Sequence, residues 1–146
     1  MNFTPNFKKK TAKILVVDDD AIFGKIVDRH LCHLKEQFKS KGIELEYNVV
    51  KTSREAFRKM DQNCDILILD HFLDTEDDSD ITGLDLIQEF KQIAPKSKVI
   101  MVTSKNNFNE NELKLMQSVE FFVRKECNTI SRLINILNHK LSIDNF

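Results

Sequence analysis

The sequence predicts an α/β fold built on a five-stranded parallel sheet, and three observations carry that prediction. Short apolar segments alternate with stretches of helical periodicity five times along 146 residues. Three of these segments end on oxygen-bearing side chains: Ile14–Val17 on Asp18-Asp19-Asp20, Ile66–Leu69 on Asp70, and Val99–Val102 on Thr103. A further apolar segment, Phe121–Val123, runs through Arg124 into Lys125. In an open parallel sheet the ligand crevice lies outside the carboxyl ends of the strands, so acids, hydroxyl and ammonium from distant segments can meet at one edge. Alternation of this length also implies right-handed crossovers that cover both faces of the sheet with helices.

Residues 1–12 form a polar, lysine-bearing lead with Pro5, expected to be mobile, and the domain is assigned to residues 13–142 with a short tail at 143–146. The first strand is Lys13–Val17. From Ala21 the apolar positions Phe23, Val27, Leu31, Leu34 and Phe38 recur at helical spacing, so a long helix runs to about Lys41 and stops at Gly42. Leu45–Lys51 reads as strand two. Ser53 is placed as the cap of a short helix from Arg54 to about Asp61, and Asp65–Leu69 is strand three. After an acidic stretch, Gly83–Ile93 is a helix ended by Pro95, and Lys98–Val102 is strand four. Asn109–Ser118 is a helix and Phe121–Arg124 strand five. Asn128–Leu141 is the last helix, with Ile130, Leu133, Ile134, Leu137 and Leu141 on one face. No internal repeat or low-complexity tract interrupts this order.

Composition narrows the function classes. A net charge of −1 supplies no global basic field, so neither nucleic acid nor a membrane surface is expected as a partner. Cys32, Cys64 and Cys127 are odd in number and lack metal-type spacing; they read as reduced, partly buried thiols. No run approaches the roughly 18 apolar residues of a membrane span, and the first residues lack a signal peptide's apolar stretch. A soluble, cytoplasmic protein is the expectation. His30 and His33 lie one helical turn apart, but no third ligand is near in sequence, and they read as structural.

The order Asp-Asp, Asp, Thr, Lys, each at or just past the end of an apolar strand, resembles the receiver domain of two-component response regulators over residues 12 to 141. The resemblance implies a flavodoxin-like (βα)5 three-layer sandwich with strand order 2-1-3-4-5. It also implies that Asp70 accepts a phosphoryl group from a phosphohistidine on a sensor histidine kinase or histidine phosphotransfer protein. A carboxylate nucleophile attacks phosphorus readily only when the repulsion between the two is neutralised. Magnesium suits a cluster of Asp18, Asp19 and Asp70, being a hard ion that takes one or two carboxylates and phosphate oxygens. The family pattern adds the backbone carbonyl of Phe72. Lys125 would pair with the acceptor carboxylate and then the phosphoryl oxygens, and Thr103 would donate its hydroxyl to the phosphoryl group. The strand-five aromatic that follows this hydroxyl inward as a switch matches Phe122, with Phe121 an equal candidate for facing outward. Helix four, strand five and helix five would form the output face, and the protein would act alone, as a monomer or a weak phosphorylation-dependent dimer. It would not be an enzyme in the ordinary sense, only catalysing its own phosphorylation and slow hydrolysis. Phe72, Ser104 and Lys105 lie beside the acceptor pocket in this pattern, and His71 at its rim.

Three features depart from the family. Glu126 stands where proline commonly follows the lysine, so a trans peptide is expected there. The segment from Leu73 to Thr82 is longer than usual and carries Asp74, Glu76, Asp77, Asp78 and Asp80, which read as a solvated, partner-selecting loop. The first helix and its following turn are also extended. A calcium reading of the acidic loop fails, because Ser79 occupies the position that needs glycine and Asp85 the one that needs glutamate. Two other functions fit parts of the pattern. A receiver-like module could bind partners without phosphorylation. A haloacid-dehalogenase-like phosphatase could use Asp18 and Asp20 as its Asp-x-Asp, but the acidic pair due after Lys125 is missing.

Overall fold

The computed structural model describes residues 10–70, 83–104, 107–126 and 128–143. Five strands alternate with five helices: β1 (Lys10–Val17), α1 (Ala21–Lys39), β2 (Ile43–Val50), α2 (Ser53–Lys59), β3 (Ile66–Asp70), α3 (Gly83–Ile93), β4 (Lys98–Thr103), α4 (Glu110–Met116), β5 (Phe121–Arg124) and α5 (Thr129–Ile143). The strands are parallel and ordered β2-β1-β3-β4-β5, as the sequence implied.

β3 is buried along its whole length, the mark of a central strand covered on both faces. Alternation along the strands then divides the core in two. Ala12, Ile14 and Val16 of β1, with Ile66 and Ile68 of β3, face α1 and α5, where Val27, Leu31, Leu34, Phe38, Leu133 and Leu137 meet them. Leu15, Val17, Leu67 and Leu69 point to the other side, against Ala56 of α2 and Leu86, Ile87 and Phe90 of α3. The stripe read from the spacing of α1 is the one that is buried.

Most element boundaries shift by one to three residues from the sequence reading, and at four places the local reason is visible. β1 begins at Lys10, three residues before the expected Lys13, because Lys10 to Ala12 pair with Ile43 to Leu45; Ala12 is fully buried although its neighbours are polar. α1 ends at Lys39. The last turn tightens as Lys41 N–H donates to Phe38 O and Gly42 N–H to Lys39 O, and Gly42 takes φ +80°, a conformation glycine adopts without penalty. Thr52, not Ser53, caps α2: its hydroxyl accepts the Glu55 N–H at 3.1 Å, while the Ala56 N–H that Ser53 would have needed donates to Thr52 O. Asp65 precedes β3, with its carboxylate accepting Lys13 N–H at 2.8 Å, and Asp70 becomes the strand's last residue.

Among the described residues no peptide bond is cis, and no helix is long and apolar enough to cross a membrane. Cys32 is exposed, against the expectation of partial burial, and Cys64 is buried; Cys127 lies outside the described residues. Burial pushes the Cys64 thiol from its ordinary 9.0 up to about 12, and Sγ donates to Ile66 O at 3.4 Å.

A thiol that keeps its proton in the fold supports stability fully below the unfolded pKa and loses that support as pH rises towards the folded one. Urea unfolding is therefore expected to show about 1 kcal/mol of stability lost between pH 9 and pH 10, a slope that Cys64→Ala flattens. Peptide mapping after iodoacetamide treatment of the folded protein should find Cys32 alkylated and Cys64 intact.

Candidate functional site

The register of the sheet assembles the site. Val17 pairs with Leu69, so Asp18 leaves β1 beside Asp70. Asp70 pairs with Val102, one residue before Thr103, and Thr103 pairs with Arg124, one residue before Lys125. Four residues separated by up to 107 positions in sequence thus line one carboxyl edge within one residue of register.

Asp18, Asp70 and Thr103 are buried there. Lys125 Nζ lies 2.9 Å from Asp18 Oδ2 and donates to Asp70 Oδ2 at 3.1 Å. Asp18 Oδ1 accepts the Asp20 N–H at 2.9 Å. Carboxylate oxygens of Asp18, Asp19 and Asp70 all lie within 4.8 Å of one another. The electrostatics follow from this crowding. Burial pushes the Asp18 carboxyl above the usual carboxylate range, against the opposing pull of the Asp20 N–H and the Lys125 ammonium. Burial works to lower the Lys125 ammonium, but the close ion pair with Asp18 and the charge of Asp70 outweigh it and hold its pKa above the ordinary lysine value.

These residues fit a divalent cation. Asp18 Oδ2 is buried and accepts no hydrogen bond among the described residues; its contact with Lys125 is an ion pair without hydrogen-bond geometry. Three carboxylates against one ammonium leave a formal charge of −2, and an all-oxygen donor set suits a hard ion. Asp20 stands outside this cluster. It is exposed and caps α1, its Oδ1 accepting the N–H groups of Ile22 at 3.0 Å and Phe23 at 3.2 Å. That is a helix-capping role and not a ligating one.

Lys125 is anchored through its backbone, with its N–H donating to Thr103 O at 2.8 Å. The following turn is tied by Thr129, whose hydroxyl accepts the Glu126 N–H at 2.5 Å and lies 2.9 Å from Arg124 O and 2.7 Å from Glu126 O. Sequence reasoning did not find this tie, nor the Phe23 ring, whose centroid is 4.7 Å from Lys125 Nζ. The spacing Asp20-x-x-Phe23, a cap followed by an aromatic in the first turn, was the available signal.

Phe121 and Phe122 are both half-buried, on opposite faces. Phe121 packs on the α1/α5 core, with Lys140 Nζ 5.2 Å from its ring centroid. Phe122 packs on the α2/α3 core, edge-on to Phe108 at 5.5 Å and 87°. By strand alternation Phe122 shares a face with Met101, its partner on β4, and therefore with Thr103 two residues on. Ser104, His30 and His33 are exposed, and His30 Nδ1 lies 2.9 Å from Ile26 O. His71, Phe72, the loop acids Asp74, Glu76, Asp77, Asp78 and Asp80, and Lys105 lie outside the described residues.

The sequence matches the family model of the response regulator receiver domain over residues 14–138. No curated protein matches it. Among solved structures, the chain is similar to a CheY-like response regulator receiver domain protein from Methanospirillum hungatei JF-1, at TM-score 0.69 and 20% identity, with 91% of this chain and 95% of that one covered. It is similar to the BeF3-activated receiver domain of DrrB, a Thermotoga maritima protein, at TM-score 0.69 and 22% identity, covering 90% and 98%. A response regulator protein from Burkholderia pseudomallei, solved with a phosphorylated aspartic acid, a calcium ion and citrate, aligns at TM-score 0.59 and 16% identity over 92% and 75%.

An acid whose folded pKa is raised is held ionised at pH 7 at a cost to stability, and stability falls as pH climbs from its unfolded value through the folded one. Asp18→Asn removes that cost. In buffer free of divalent ions the variant should melt a few degrees higher than the native chain at pH 7, and the difference should disappear near pH 4; thermal unfolding monitored by circular dichroism checks both.

Proposed function

Because the chain belongs to the response regulator receiver domain family, we propose that it serves two-component signalling as a phosphoacceptor, with Asp70 taking a phosphoryl group from a phosphohistidine on a sensor kinase or phosphotransfer protein. The observation that carries this reading is the Lys125 ammonium held between the buried carboxylates of Asp18 and Asp70, with Asp19 beside them.

In the transfer, an Asp70 carboxylate oxygen forms the new P–O bond as the P–N bond to the donor imidazole breaks. The electron pair leaves on the imidazole nitrogen, and because the donor ring carries a proton on its other nitrogen in the reactive form, the leaving group is neutral imidazole. Asp70 is placed for this by its position at the end of a fully buried strand, which limits the directions its carboxylate can take. Asp18, Asp19 and Asp70, with the Phe72 carbonyl that the family pattern adds, would hold a magnesium ion, which would supply the positive charge that offsets repulsion between carboxylate and phosphoryl group. Lys125 turns from the Asp70 carboxylate to the phosphoryl oxygens, an ammonium with several donors and a flexible stem. Thr103 donates its hydroxyl to the phosphoryl group.

The charge change at Asp70 then acts on packing. Thr103 and Phe122 continue the same face of neighbouring strands, and the Phe122 ring is only half-buried, against Phe108, so a displacement of the ring costs little buried area. The output surface is the one formed by α4, β5 and α5, read by a downstream protein. This is signalling rather than turnover catalysis.

Intact mass after incubation with acetyl phosphate or phosphoramidate tests the reading. The native chain with Mg2+ should gain about 80 Da, the mass of one phosphoryl group on a nucleophilic carboxylate, and lose the gain when Mg2+ is chelated or Asp70 is changed to Asn. No adduct from either donor in the presence of Mg2+ would favour a module that binds its partners without phosphorylation.

A further inference from the structure

The site holds a closed circuit of contacts among four residues, two of which, Asp20 and Phe23, have no part in the chemistry above. Asp18 accepts the Asp20 N–H, and Asp20 accepts the Phe23 N–H. The Phe23 ring lies 4.7 Å from Lys125 Nζ, and Lys125 returns to Asp18 at 2.9 Å. The geometry points to Phe23 as a positioning residue for phosphoryl transfer, its ring face keeping the Lys125 ammonium over the Asp70 carboxylate by cation–π attraction. This rests on the phosphoacceptor reading of the same site.

The argument is one of directionality. Lys125 must exchange one set of oxygen partners for another when Asp70 is modified, and a hydrogen-bonding neighbour on the α1 side would compete for the N–H groups that do so. An aromatic face attracts the whole cation without claiming a particular N–H. The ring is also in a fixed place. Phe23 sits in the first turn of α1, where the Asp20 cap holds its backbone, and its half-buried side chain rests on the α1/α5 core. An aliphatic residue would fill the same volume without holding the charge.

The test uses the full chain, with Phe23→Leu and Phe23→Tyr. Lys125 side-chain resonances are followed by NMR in divalent-free buffer, where a ring face beneath the ammonium displaces the Cε protons upfield. The displacement should be present in the native chain, absent in Phe23→Leu and restored in Phe23→Tyr. The limiting rate of adduct formation with acetyl phosphate and Mg2+ should fall roughly 2- to 30-fold in Phe23→Leu, the span of cation–π strengths, with the half-saturating donor concentration unchanged and with recovery in Phe23→Tyr. An undisplaced Lys125 in the native chain overturns the proposal without any variant. So does a Phe23→Leu protein that loses the displacement yet is phosphorylated at the native rate. A native chain that takes no adduct at Asp70 defeats the phosphoacceptor reading itself, whatever the resonances show.

Discussion

Two buried carboxylates at neighbouring strand ends repel each other, and the Lys125 ammonium between Asp18 and Asp70 is what permits them to stay there. At the spacing found among Asp18, Asp19 and Asp70, each pair of unit charges opposes folding by about 3 kcal/mol at an effective dielectric near 20. A domain's whole stability is only about 5–15 kcal/mol. One cation inside the cluster offsets much of this, while burial still holds the Asp18 carboxyl above the usual carboxylate range. The residual negative charge is the feature that an incoming divalent ion would find.

Much of the surrounding structure serves to keep that ammonium in place. The Lys125 backbone is tied to Thr103 O on one side, and on the other the Thr129 hydroxyl gathers Arg124 and Glu126 into one turn. The N–H that Glu126 donates is one that a proline would lack, so this turn is stabilised by a side-chain hydroxyl that needs a non-proline residue there. On the α1 side the Asp20 cap and the Phe23 ring complete the enclosure. The two cores beneath, α1/α5 on one face and α2/α3 on the other, hold the strand ends at a common level.

Fold and site were legible in the sequence to different depths, and the physics explains where. Strand-end chemistry was readable because buried parallel strands are continuous apolar runs, so the residues at which the runs stop are conspicuous: Asp18, Asp70, Thr103 and Lys125. Helix α1 was readable from its stripe. The cap of α2 was not, because Thr52 and Ser53 are chemically equivalent candidates and only the backbone angles separate them. The start of β1 was hidden because Lys10 and Thr11 pair through their backbones while their side chains stay in water. Contacts made by a residue's quadrupole or by a hydroxyl across a turn, as at Phe23 and Thr129, leave no periodic signal, and Phe23 passed for ordinary core.

The asymmetry of the edge bears on how a local charge change could travel. By strand alternation Asp18, Asp70 and Lys125 continue the α1/α5 face, whereas Thr103 continues the face that carries Phe122. The Lys125 side is tied at the backbone on both flanks and has few alternative arrangements. On the Phe122 side, among the described residues, the ring makes an edge-to-face contact with Phe108, an interaction worth about 0.5–1.5 kcal/mol beyond area burial. A new hydrogen bond at Thr103, charge-assisted and so worth about 1.5–3 kcal/mol, is enough to outweigh such a contact but not to dismantle the lysine's enclosure. In the proposed mechanism the modified aspartate therefore moves the softer side of the edge, and the signal leaves through β5 and α4 while the phosphoryl-binding half holds still.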